Sequence, residues 1–212
     1  MKAFCDNMSD GLVCSFEGIN HWNFYDWSPY ADGVCENIEK SDFIINCIFL
    51  LGLESFDYIC KKLEIENEYE SLAESISQKL REKFYNEKEN VFFISNSSEE
   101  ATELANSFAV LLGIADEKQS EQICEKLASG ELLECSLSMK PLNYDALLKI
   151  NKEKYKPVIL EEIRQTYKKM LDAGSTTVWE TIKGASDFGN AGSLCHGWSA
   201  IPVYYYHILG CC

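Results

Sequence analysis

Residues 66–84 read ENEYESLAESISQKLREKF, and their spacing decides the fold. Tyr69, Leu72, Ala73, Ile76, Leu80 and Phe84 recur at three- and four-residue intervals, with Glu, Gln, Lys and Ser between them. That period puts one apolar stripe on a helix facing a core. Upstream, residues 38–63 are apolar on nearly all sides through their first half, as in a helix buried by several neighbours. Downstream, a strand-like run at 91–94 leads to Ser97 and Glu100, spaced as a capping box. Ala101, Leu104, Ala105, Phe108, Leu111 and Leu112 come next at helical spacing, with Gly113 as the stop. A shorter helix over 117–128 closes at Gly130, and another spans 142–150. Pro157 sits where a first helical turn favours it, ahead of Ile159, Ile163, Tyr167 and Met170 on one face. Pro202 opens a last helix over 201–209. Helix after helix, with strand signals confined to loops, predicts an all-α fold of antiparallel helical hairpins in two layers. No linker or fixed-period repeat interrupts the pattern, so residues 1–212 read as one domain.

The apolar content of 46% over 212 residues suffices for a substantial core. A net charge of −15 argues against nucleic acid or an anionic membrane surface as partner, since both reward clustered Lys and Arg. Of the ten cysteines, none form a CxxC pair, and Cys47, Cys60 and Cys124 fall at apolar helix positions. The three histidines are not at zinc-site spacing from any cysteine pair, so neither metal nor cofactor is expected. The N-terminus lacks a signal-peptide core. The longest apolar run, 43–53, is shorter than the ~20 residues that span a bilayer. A reduced, cytoplasmic protein is the expectation; the vicinal Cys211 and Cys212 have no account.

All four tryptophans lie in two glycine-bearing stretches far apart in sequence. Trp22 and Trp27 belong to HWNFYDWSPYADG (21–33); Trp179 and Trp198 belong to TTVWETIKGASDFGNAGSLCHGWSA (176–200). His21, Asp26, Asp32, Glu180, Asp187 and His196 share those stretches. Indole offers a flat apolar platform to the C–H face of a pyranose, and paired carboxylates do acid–base work on a glycosidic bond. The plain alternative is a packing tryptophan near a loop, a surface Glu180, a loop His196 bonded to backbone and a turn Asp26.

MKPLNYDALLKI (139–150), MLDAGSTTVWETI (170–182) and GSLCHGWSAIPVYYYHILG (192–210) together resemble the C-terminal half of the catalytic barrel of α-L-rhamnosidases, which are six-hairpin, (α/α)6 glycosidases. NFYDWSPYADG (23–33) is similar to that family's aromatic-Asp-Trp loop. The resemblance implies an (α/α)6 toroid-like, incomplete barrel and inverting hydrolysis of terminal α-L-rhamnosides. It implies Glu180 as the general base, His196 as a holder of the sugar or of that carboxylate, and Trp27 as an apolar wall of the pocket. Trp22, Asp26, Trp179 and Trp198 are expected nearby as substrate-binding residues.

The family's general acid lies in an acidic, arginine-containing motif ahead of the aromatic-Asp-Trp loop, and MKAFCDNMSDGLVCSFEGIN contains none. The chain is therefore expected to need an N-terminal half-barrel or self-association as partner, with a carbohydrate as substrate. Two other readings stay open: a non-catalytic helical carbohydrate-binding protein, and a helical interaction module.

Overall fold

The computed structural model describes residues 1–18, 21–32, 41–95 and 100–211. Two compact units divide the chain, Met1–Glu134 and Cys135–Cys212. Of the described residues, 56% are helical, and the strands amount to two short hairpins. The expected all-α class holds.

In the first unit, α1 (Lys2–Asp6) leads into a hairpin of β1 (Met8–Ser9) and β2 (Leu12–Val13). Its two-residue turn, Asp10-Gly11, has positive φ at both positions (52° and 74°), the backbone that tight hairpins require. Neither element is among the sequence expectations. Next comes α2 (Phe43–Leu63), capped by Asp42, whose carboxylate accepts from Ile45 N at 2.8 Å. The expected start at Ile38 lies outside the described residues. Phe43, Ile44, Ile45, Cys47, Phe49, Leu50 and Leu53 are buried, as the all-round apolar pattern required. The helix continues beyond the apolar run and has the length and composition to cross a membrane, although half of that stretch is buried.

Helix α3 (Glu70–Phe84) buries Ile76, Leu80 and Phe84 against α2. It starts four residues after Glu66, where the segment read as helical begins. The Asn67 side chain explains the delay: its Oδ1 accepts from Tyr69 N and its amide donates to Asp57, holding the chain in a turn. Strands β3 (Tyr85–Asn86) and β4 (Val91–Phe92) form the second hairpin, with β4 inside the strand-like run expected at 91–94. Helix α4 (Glu103–Leu111) comes next, buried from Glu103 to Val110 and packed on both α2 and α5. Its cap is Thr102, whose hydroxyl accepts from Ala105 N. This corrects the expected capping box: Ser97 lies outside the described residues, and Glu100 precedes the helix. Gly113 ends α4 at positive φ, as expected. Helix α5 (Glu117–Ser129) carries a reciprocal capping box between Asp116 and Gln119 and closes at Gly130 in the left-handed region.

One device occurs twice in this unit. Asn46 sits four residues after the cap of α2, fully buried; its Oδ1 accepts from Val13 N and its amide donates to Val13 O and Asp42 O. Asn106 sits four residues after the cap of α4, also fully buried; it pairs in the same way with Phe92 N, Phe92 O and Thr102 O. Each asparagine presents to a hairpin strand the donor and acceptor that a neighbouring peptide would offer, so helix and hairpin lock without an unpaired backbone group.

In the second unit, α6 (Lys140–Asp172) is broken at Asn151, which is non-helical (φ −156°, ψ 94°). Asn151 Oδ1 accepts from Lys154 N at 2.9 Å, capping the second segment of the helix. That segment therefore begins ahead of Pro157, which lies inside the helix rather than opening it. Ile159, Ile163 and Met170 are buried on the expected face. Helix α7 (Ile201–Ile208) begins with Pro202 in its first turn and packs on α6. Tyr205 hydroxyl donates to Asp145 Oδ1 at 2.8 Å, and its ring meets Tyr144 edge-on. Residues 173–200, between these helices, hold only two 3-10 turns, Gly184–Ser186 and Gly197–Ser199.

Candidate active site

The segment 173–200 folds back so that its two motif strings lie side by side. His196 N donates to Val178 O at 2.9 Å, and Glu180 N donates to Ser193 O at 2.9 Å. Thr177 hydroxyl closes the outer end on Leu194 O. The loop between the strings packs too tightly for side chains at two glycines. A Cβ on Gly192 would lie 2.0 Å from Gly184 O, and one on Gly184 would lie 2.6 Å from the Trp179 ring. These glycines serve the approach of backbone to backbone and to indole. Phe188, Gly189 and Asn190 all take positive φ (49°, 67° and 72°) at the loop's tip, anchored by Asp187. Asp187 O accepts from Ala191 N and Gly192 N, and Asp187 Oδ2 accepts from Thr181 hydroxyl at 2.7 Å. That hydroxyl, chiefly, holds the Asp187 carboxyl below the usual range.

Glu180 is the focus of the fold-back. Its Oε2 accepts from Ser193 N at 3.2 Å and lies 3.8 Å from His196 Nδ1, an ion-pair separation rather than a hydrogen bond. Its backbone carbonyl accepts from Trp198 Nε1 at 3.2 Å. The His196 and Trp198 rings stack at 3.9 Å between centroids, 24° from parallel. The Glu180 side chain is only 15% exposed, and Oε1 takes no hydrogen bond among the described residues. One oxygen is thus fixed and the other is left for a ligand or water. Glu180, His196 and Trp198, singled out in sequence, are brought together. Trp179 adjoins Glu180 in sequence; its ring lies against Gly184 and its Nε1 donates to Ser175 Oγ at 2.9 Å. The Ser193 backbone N–H, unmarked in sequence, completes the group.

The other tryptophan pair belongs to the first unit. Trp22 is 58% exposed and Trp27 40%. With Phe24 they form an aromatic cluster: Trp22–Phe24 at 4.9 Å, Phe24–Trp27 at 4.6 Å and Trp22–Trp27 at 5.9 Å between centroids. Asn23 holds the base of this loop, accepting from Phe16 N and donating to Phe16 O. Tyr25 N and Asp26 N both donate to Ala31 O, which fixes the turn, and Asp26 is buried. Tyr25 hydroxyl donates to Asp42 Oδ2 at 2.7 Å, tying the loop to the cap of α2. Burial raises the pKa of both the phenol and the Asp42 carboxyl. Gly33, the last residue of the sequence stretch, lies outside the described residues.

Among the described residues no group of three His, Cys, Asp or Glu side chains is placed to hold a metal ion. A cavity of about 430 Å³ in the first unit, lined by Lys88, Phe93, Lys126 and Glu131 among others, contains none of the expected site residues.

The family model of the bacterial alpha-L-rhamnosidase 6 hairpin glycosidase domain matches residues 1–208. The chain is similar in structure to a GH78 family rhamnosidase of Bacillus sp. GL1 (TM-score 0.79, 21% identity), covering 97% of this chain and 22% of that one. It is also similar to a rhamnosidase from Klebsiella oxytoca with rhamnose bound (TM-score 0.75, 16% identity), covering 99% of this chain and 40% of that one. The chain therefore spans less than half the length of these solved chains. No curated protein matches it significantly.

Proposed function

We propose, because the chain belongs to the bacterial α-L-rhamnosidase six-hairpin glycosidase family, that it supplies the base side of an inverting glycosidase site acting on terminal α-L-rhamnosides. The observation that carries this reading is the Glu180 carboxylate: one oxygen held by Ser193 N–H and faced by His196, the other without a partner among the described residues. A general base needs that asymmetry, because the carboxylate must keep its orientation while accepting a proton from water. Attack on the anomeric carbon from the face opposite the leaving group then inverts its configuration. His196 steadies the carboxylate or a sugar hydroxyl. The exposed indoles of Trp22 and Trp27 offer the apolar surface a deoxyhexose would lie against.

Protonation of the leaving group requires a second carboxyl about 6.5–9.5 Å from the base across the scissile bond. Residues 1–20 carry no acidic, arginine-containing motif, so we assign the acid to a part of the barrel outside these 212 residues. The same exposed indoles also suit a second reading, in which the chain binds carbohydrate without turning it over.

The test uses two aryl α-L-rhamnosides, one with a good and one with a poor leaving group. The 212-residue chain alone is expected to hydrolyse the poor substrate negligibly, and activity is expected to return with an N-terminal rhamnosidase half-barrel present. In that preparation Glu180→Gln is expected to lower kcat by about 10²–10⁴-fold at little change in rhamnose affinity. Robust cleavage of both substrates by the chain alone would overturn the assignment of the acid. Turnover indifferent to Glu180→Gln would overturn that of the base. Binding without turnover in any preparation selects the second reading.

A further inference from the structure

Trp198 makes two contacts that a sugar platform has no use for. Its Nε1 donates to the Glu180 carbonyl at 3.2 Å, and one ring face is covered by the His196 imidazole at 3.9 Å. The stacking partner lies only two residues away. The 3-10 turn Gly197–Ser199 makes that possible, with Ser199 N donating to His196 O and Ala200 N to Gly197 O. The indole therefore touches the backbone of the proposed base and the ring of the side chain that faces its carboxylate. Ser193 N–H supplies the third restraint, on Oε2.

We propose that Trp198 is a positioning residue that acts through Glu180 and His196, and not a surface on which the sugar stacks. This rests on the assignment of Glu180 as the base. The indole works as a gauge. Its N–H fixes the height of the Glu180 backbone, its face fixes the plane of the imidazole, and the 3.8 Å separation of Oε2 and Nδ1 results from the two together. Without it the imidazole would be free to turn about its side-chain bonds, and the carboxylate would keep only the Ser193 restraint. Displacements of that kind are costly in catalysis: a shift of about 1 Å lowers rates on the order of 10²-fold.

The test is made on the full 212-residue chain by NMR of the His196 ring. Glu180→Gln is expected to shift the His196 ring signals in the otherwise unaltered chain. The same change is expected to leave them nearly unmoved with Trp198→Leu, which removes both stack and donor, and to shift them partly with Trp198→Phe, which keeps a ring. Amide signals of α6 and α7 report whether the unit is intact; should Trp198→Leu disturb them, Trp198→Phe alone decides. A shift of equal size in all three backgrounds overturns the proposal, as does its absence in the unaltered chain. In a preparation that turns over, Trp198→Leu is expected to lower kcat on the order of 10²-fold at unchanged KM and to add nothing to Glu180→Gln. A raised KM at unchanged kcat would make Trp198 a sugar platform and overturn the proposal. The ring-signal measurement needs no ligand. A chain indifferent to L-rhamnose would thus remove the assigned function and leave the positioning role to be judged by the shift.

Discussion

Replacing Asn106 by leucine tests how the first unit joins helix to hairpin. Asn106 is fully buried and makes three hydrogen bonds: from Phe92 N at 2.9 Å, to Phe92 O at 3.0 Å and to Thr102 O at 3.0 Å. Leucine is similar enough in size that the cavity contribution is small. The cost comes from the groups left behind. Thr102 O keeps a partner, because Asn106 N also donates to it at 3.2 Å. Phe92 N and Phe92 O lose theirs, and Phe92 is buried. Each orphaned buried group costs about 1–3 kcal/mol, so the pair costs about 2–6 kcal/mol. A typical domain has only about 5–15 kcal/mol in total. Because the chain has two units, the assay must read the first one alone. Native-state hydrogen exchange at amides of α4 and the β3–β4 hairpin does so, and their protection is expected to fall by that amount. Asn46→Leu is expected to act alike on α2 and the β1–β2 hairpin, since Asn46 pairs with Val13 in the same way. A loss under about 1 kcal/mol at both sites would refute the idea that these amides stand in for a missing strand.

Two further outcomes rest on particular contacts. Gly192→Ala is expected to push the 187–192 loop off Gly184, since its Cβ would lie 2.0 Å from a backbone oxygen that has no flexible end to yield. Tryptophan fluorescence should report the changed setting of Trp179 and Trp198; an unchanged spectrum would mean that the loop's closeness has no bearing on how the two indoles are set. Asp42→Asn keeps an acceptor for Ile45 N while removing a carboxyl whose pKa burial raises. A raised carboxyl pKa in the folded state means that native protein holds more protons than unfolded protein between the two pKa values, so stability falls as pH rises through that window. Native-state hydrogen exchange at amides of α2 is expected to show this decline in the unaltered chain and a smaller one in Asp42→Asn; an identical pH dependence would refute the attribution.

Where local chemistry sets a boundary, the sequence is legible. Helix α5 begins and ends within a residue of expectation because Gly130 stops it, and its cap is a local Asp116–Gln119 pair. Periodicity makes α3 too long because an Asn67 turn competes with the helix at its start, and an apolar stripe cannot register that competition. Proline favours first turns, which marks Pro157 as a start, yet Asn151 already caps the segment upstream of it. The Asp10-Gly11 hairpin is hard to see although the dipeptide is a turn signal; its strands are only two residues long and show no alternation. In the site, the TTVWE and CHGWSA strings point to Glu180, His196 and Trp198. They do not disclose Ser193, whose contribution is a backbone N–H that nearly any residue would offer. Nor does any string disclose Asn46 and Asn106, whose partners lie 33 and 14 residues away and exist only once the hairpins form.

The two tryptophan loops are held by contacts of different sequence range. The contacts that hold the Glu180 group close within 18 residues: Ser193 at 13, His196 at 16 and Trp198 at 18. Short closures cost little chain entropy, since the cost grows only slowly with length and these sit at its lower end. The close approach of Gly184 and Gly192 removes much of the freedom that remains. The Glu180 carboxylate is thus oriented by its own segment, anchored between α6 and α7. The aromatic loop mixes ranges: Trp22 Nε1 donates to Asp32 O within 10 residues and Tyr25 hydroxyl reaches Asp42 across 17, while Tyr30 hydroxyl reaches Glu100 across 70. Its geometry depends on α2 and on the segment that precedes α4. Damage to the first unit should therefore disturb the indoles of Trp22 and Trp27 while leaving the Glu180 group intact. A carboxylate oriented by its own segment and an aromatic loop tied in part across 70 residues respond separately to substitutions in the first unit.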